Sequence, residues 1–220
     1  MVAAVAVTGL GTADAAVVVV GVNGSASAGG TTTEVDGSIF SAGGTATSVP
    51  QRWTDPGVVG TTFSGIFGGT TTSTDWYVNG NLSYTTVLGS DNYMEIFYSL
   101  DSNVTGTNFR WAFNGTSPAD SISPADAALI PTSAGSNSIV LDMNQIDGFA
   151  GGGVELTLIR WDPWNEESPP GPDQNRGTSF TIERVVFGTE LVSAIPEPSS
   201  VALLAVAGVG IVARRRKRAA

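Results

Sequence analysis

Apolar and polar residues alternate with a period of two through most of the stretch from Ala16 to Leu191, the spacing of strands with one buried face. In Tyr93 to Leu100, Met94, Ile96, Tyr98 and Leu100 share one face while Glu95 and Ser99 take the other. Asn108 to Phe113 places Phe109, Trp111 and Phe113 together and Arg110 opposite, and Val154, Leu156 and Leu158 alternate with Glu155 and Thr157. The last strand, Ser179 to Phe187, begins in phase with Phe180 and Ile182, then shifts at Glu183-Arg184 to Val185 and Phe187. A β-bulge, which adds one residue to one strand, accounts for such a shift. Ala16 to Val22, Trp76 to Val78, Leu82 to Leu88 and Ser138 to Met143 read as further strands. Asn79-Gly80 reads as a two-residue hairpin turn, because both positions tolerate positive φ. Ser121 to Ile130, bounded by Pro124 and Pro131, is the best stretch for a short helix. Gly24 to Gly44 and Thr45 to Gly60, rich in Gly, Ser and Thr, read as long loops or an irregular strand pair.

Many short strands joined by polar turns predict an all-β fold, a single β-sandwich of jelly-roll type. The span of about 175 residues suits one core and not comfortably two. The expected organisation is residues 1–15 as a truncated signal peptide, 16–191 as the sandwich and 192–220 as a separate tail. Val2 to Leu10 followed by Ala13-Asp14-Ala15 has the shape of the end of a secretory leader with an A-x-A cleavage site, though its basic start is missing.

The tail has an order of its own. Pro196-Glu197-Pro198 leads through Ser199-Ser200 into thirteen apolar residues, Val201 to Ala213, and then into Arg214, Arg215, Arg216, Lys217 and Arg218. The two prolines lack N–H groups and push their predecessors towards extended backbone, so no helix can run through from the body. Thirteen helical residues reach only about 20 Å against a hydrocarbon core of about 30 Å, a short transmembrane helix that snorkelling basic side chains can extend. Positive charge stays on the cytoplasmic side, which turns the body outward.

This tail resembles the PEP-CTERM sorting signal of bacteria that make extracellular polysaccharide. The resemblance implies an exported protein, held transiently in the inner membrane and processed near Pro196, Glu197 and Pro198 by an exosortase, a membrane-embedded cysteine transpeptidase-like enzyme. The chain would be cargo of that enzyme, released to the cell surface or the extracellular matrix. The closing strand, with Val185-Val186-Phe187-Gly188, is also similar to the last strand of jelly-roll domains in other proteins with such tails.

Charge and missing residue types narrow the chemistry. The chain carries net charge −10 and contains neither Cys nor His. That excludes disulfides, thiolate and imidazole metal sites, and Ser-His-Asp or Cys-His catalysis. Without the leader and the tail, five arginines face eighteen carboxylates, a net −13; nucleic acid is excluded as a partner, since phosphate binding needs the opposite sign. Acidic polysaccharide would need bridging divalent cations.

Carboxylate chemistry alone remains, and most acids fall at turns (Asp55, Asp91, Asp101, Asp147, Asp173) or on outward strand positions (Glu95, Glu155), where a solvated surface is the ordinary outcome. A small exported glycosidase would require two of them facing each other across a cleft. In Trp161-Asp162-Pro163-Trp164-Asn165-Glu166-Glu167-Ser168, Trp161 and Trp164 could stack on sugar rings while Asp162 and Asn165 bind hydroxyls, a carbohydrate-binding loop. The alternative, and the more ordinary outcome, is that Trp161 caps its strand into the core while Trp164 covers a loop. Asp162, Asn165, Glu166, Glu167 and Asp173 are hard oxygen ligands that could hold a structural calcium, although no EF-hand spacing occurs. No other cofactor is implied. The expectation is a non-enzymatic cell-envelope or matrix protein, with sugar binding as the alternative.

Overall fold

The computed structural model describes residues 18–44, 53–67, 76–82, 87–88, 90–105, 110–113, 120–121, 128–145, 155–162, 175 and 177–193. Over these it is an all-β, antiparallel sandwich of two sheets. The strands are β1 (Val18–Val22), β2 (Ala26–Asp36), β3 (Phe40–Gly44), β4 (Trp53–Val59), β5 (Thr62–Phe67), β6 (Trp76–Asn81), β7 (Tyr93–Leu100), β8 (Arg110–Phe113), β9 (Asp120–Ser121), β10 (Gly135–Asp142), β11 (Leu158–Asp162) and β12 (Ser179–Ser193). The larger sheet has the order β1-β10-β7-β12-β5-β4, with β2 also paired to β12; the smaller has the order β3-β6-β11-β8-β9. From β5 onwards the chain passes between the sheets at every connection except β8 to β9, the crossing habit of a jelly roll.

The core lies between the sheets, where the period-two pattern places it. Met94, Ile96, Tyr98 and Leu100 of β7 all point inward, as do Phe180, Ile182, Val185 and Phe187 of β12. The pairing of β12 with β7 steps from Ile182↔Tyr98 to Arg184↔Phe97, so Glu183 is the extra residue and the bulge expected there exists. Without it Val185 and Phe187 would face solvent, because a one-residue slip reverses every side chain. From the smaller sheet Phe40, Val78, Ile159 and Trp161 close the core.

Several expectations are corrected. Asn79-Gly80 is no turn but the middle of β6, paired with Arg160 and Ile159 on one side and with Ser41 and Phe40 on the other. Gly80 serves close approach: a Cβ there would stand 2.8 Å from the Phe40 ring. Among the described residues the Asn-Gly pair that turns is Asn23-Gly24, with φ of 45° and 77°, joining β1 to β2 with the Ser25 N–H donating to the Val22 carbonyl at 2.9 Å. Gly24 to Gly44, expected as a long loop or part of an irregular strand pair, contains β2, a short 3₁₀ turn (Gly37–Ile39) and β3, strands that pair with β12 and β6 instead of with each other. The second such stretch contains β4, whose register against β5 slips between Thr54 and Gly57. Pro56 sits in that slip on an edge strand, a place where its missing N–H does no harm.

Leu82 to Leu88 is not a continuous strand over its described residues; Val87 makes a single bridge to Leu156. Next to it the expected phase fails as well, since Leu156, Ile159 and Trp161 are buried while Leu158 is only half-buried. At the stretch expected to be helical, Ser121 pairs in β9 and Leu129-Ile130 lie in a turn; residues 122–127 lie outside the described residues. So do the side chains of Phe109, Trp111 and Phe113. Among the described residues no helix is long and apolar enough to cross a membrane, and Val201 to Ala213 are not among them.

Candidate functional sites

Trp161, next to last in β11, is fully buried. It meets Phe180 edge-on, centroids 5.2 Å apart, and Tyr98 at 5.7 Å in the same T-shaped manner, arrangements that aromatic quadrupoles favour. Tyr98 donates its hydroxyl hydrogen to the Pro131 carbonyl, and burial pushes its phenol well above the ordinary tyrosine range. Of the two roles open to Trp161, packing is the one realised: a ring without an exposed face has none to offer a sugar. Trp164, Asn165, Glu166, Glu167, Asp173 and the Asp162 side chain lie outside the described residues. Among the described residues no group of three or more acids gathers as a cation site.

Glu95 departs from its expected solvated role. It does point to the outer face of the larger sheet, yet it is only 3 % exposed, because the start of β2 folds over it. The Ala28 N–H donates to Glu95 Oε2 at 3.1 Å. Around it Ala26, Ala28, Ser138 and Val140 are buried too, a small second layer outside the main core. Burial raises the Glu95 carboxyl above its ordinary value of 4.5, opposed by the Ala28 amide, the Ser138 hydroxyl and the Arg184 charge. The Arg184 guanidinium lies 4.1 Å over the Phe97 ring, a cation–π contact. Next to this layer is an open hollow of about 330 Å³ lined by Asn23, Phe97, Ser136, Asn137, Ser138 and Glu183. The Asn137 amide donates to the Ser133 and Gly135 carbonyls, while Asn23 accepts from the Ser138 N–H at its Oδ1 and donates from its Nδ2 to Asn137 Oδ1, so Asn23 braces the β1–β2 turn against β10.

A carboxyl with a raised folded-state pKa binds more protons folded than unfolded just above 4.5, so stability falls as pH rises through that window. Glu95→Gln keeps an acceptor for Ala28 without the charge. The variant is expected to melt higher than the parent at pH 7, with the gain shrinking towards pH 4; thermal melts across that range check it. A constant difference would show that the ionised form is not the costly one.

The last strand ends beside this layer, with Ser193 opposite Ala26. β12 keeps β7 as a neighbour only as far as Gly188, opposite Tyr93; beyond that, Glu190 to Ser193 pair only with Gly29 to Ala26 of β2. Ser193 is the last paired residue, opposite Ala26. Only Ala194 and Ile195 separate it from Pro196. Pro196, Glu197 and Pro198 and the basic cluster Arg214 to Arg218 lie outside the described residues.

Residues 194–217 match the family model of the PEP-CTERM protein-sorting motif. The chain carries a PEP-CTERM sorting signal. Its first matched residue follows directly on the last residue of β12. No curated protein matches the chain. Two solved structures are similar to it, a lysine-to-alanine and an arginine-to-alanine variant of CBM29-2, a family 29 carbohydrate-binding module; each shares 13 % identity and covers 73 % of this chain and 93 % of its own, with TM-scores of 0.37 and 0.36. The PEP-CTERM signal was legible from residue order alone. The Glu95 layer was not, because the backbone that buries Glu95 lies 67 residues away in the chain.

Proposed function

We propose that this protein is an exported, non-enzymatic cargo of an exosortase, which holds an acidic β-sandwich at the outer face of the inner membrane by its tail and releases it after processing near Pro196-Glu197-Pro198. The observation that carries the proposal is the sorting motif at 194–217, attached without a spacer to the last strand. The body then works through surface contacts in the cell envelope or the extracellular matrix, polysaccharide among them. Its net −13 favours neutral glycans, or acidic ones bridged by divalent cations, because like charges repel.

The test is replacement of Pro196, Glu197 and Pro198 by alanine in a host that has an exosortase. The wild-type chain is expected to be shortened and to leave the membrane fraction, while the triple variant accumulates at full length in it. Equal processing of both forms would overturn the proposal.

A further inference from the structure

We infer that the paired end of β2 and β12 gates processing of the tail: the ribbon must open before an enzyme can seat the Pro-Glu-Pro segment. This rests on the exosortase reading and adds a control built into the sandwich itself.

The argument is one of reach. A processing cleft takes its substrate as single extended chain, and a strand already paired offers no free edge on its bonded side. From Ser193 to Pro196 are three Cα steps, at about 3.3–3.6 Å each a leash of roughly 10 Å. The folded body, with a radius of gyration of about 16 Å for its length, is larger than that leash. While Ser193 stays opposite Ala26, the bulk of the sandwich is held against any enzyme that approaches the motif. Freeing Glu190 to Ser193 adds four residues, about 13–14 Å, and more than doubles the reach.

The same four residues are built to open. They have one neighbouring strand instead of two, their register is interrupted between Gly188 and Glu190, and Val192 is 50 % exposed over Gly29. Segments with few buried contacts open far below the cost of global unfolding. Among the described residues two hydrogen bonds tie the ribbon to the sheet, beside the packing of the buried Ala26 and Ala28 on β2: Asn92 Nδ2 donates to the Thr189 carbonyl at 3.3 Å, and the Ala28 N–H donates to the buried Glu95 carboxyl. The closed position is therefore specified, and the opening is local.

The test locks the ribbon. Residues directly opposite in an antiparallel pair have Cα atoms about 4.5–5.5 Å apart, within the range a disulfide spans. Ala26→Cys with Ser193→Cys introduces the only two cysteines of the chain, and export supplies the oxidising compartment. In pulse-chase in an exosortase host, the double variant is expected to lose its full-length form at least about tenfold more slowly than wild type. Each single variant should behave as wild type, and added reductant should restore the double variant, which also shows that it folds. Inserting a Gly-Ser linker of about ten residues between Ser193 and Ala194 of the locked chain should restore processing without reductant. Wild-type rates in the oxidised double variant, or no rescue by the linker, would overturn the gate while leaving the exosortase reading intact. Wild-type chain that is never shortened, or that is shortened equally well with alanines at the motif, overturns both.

Discussion

Replacing Trp161 by alanine is expected to lower the stability of the sandwich by about 3–5 kcal/mol, the range for emptying a large aromatic site in a packed core. Among the described residues Trp161 is the largest fully buried side chain and the point where both sheets meet, touching Phe180 of β12 and Tyr98 of β7 from its place on β11. Its removal takes away the hydrophobic transfer term and two edge-on aromatic contacts, and leaves a cavity that Tyr98, tied to Pro131, cannot fill. Since domains of this size are stable by only about 5–15 kcal/mol, the variant should unfold at markedly lower urea, followed by circular dichroism. Trp161→Phe, which keeps an aromatic ring, should recover much of the loss. A loss below about 1 kcal/mol for alanine, typical of surface sites, would mean that Trp161 is not the keystone.

Gly37→Ala should be as damaging, for a different reason. Gly37 is buried where β2 gives way to β5 along one edge of β12, and a Cβ there would stand 2.1 Å from the Ile182 carbonyl oxygen and 2.8 Å from the Phe63 nitrogen. Both obstacles are backbone, so no rotamer change relieves them. The 3₁₀ turn would have to shift, and with it the Asp36 cap on the Ser38 N–H and the crossing of the chain into the smaller sheet. A cost of about 3 kcal/mol or more is expected, at the upper end for overpacking, read from denaturant midpoints. Gly57→Ala is the matched control: nothing lies within 4 Å of its added Cβ, so its effect should stay within about 1 kcal/mol.

Where a strand buries one face in the core, the residues announce it. β7 was readable to the residue, and β12 from Ser179 to Phe187 including the bulge at Glu183-Arg184 though not its continuation to Ser193, because each inward position carries a large apolar side chain and each error of phase would expose one. β2 has no such signature. Of its residues Ala26–Asp36 only Val35 belongs to the main core, and it is held by backbone pairing along the edge of β12, which any sequence without proline can supply. The two Asn-Gly pairs among the described residues teach the same lesson from the other side. Asn23-Gly24 turns and Asn79-Gly80 does not, although both offer the same conformational freedom; what separates them is the Phe40 ring against Gly80, forty residues distant. Glu95 looked solvated because alternation tells which face a residue takes and not what lies on that face.

By itself, the sequence determined the all-β class, the inward faces of its strongest strands and the sorting signal at its end, since each of these is encoded in the order of neighbouring residues. Only the tertiary structure decided that Trp161 packs inside, that Glu95 is covered and that the sorting signal begins where a paired ribbon stops. These depend on contacts between residues far apart in the chain, where local pattern carries no information about which surfaces will meet.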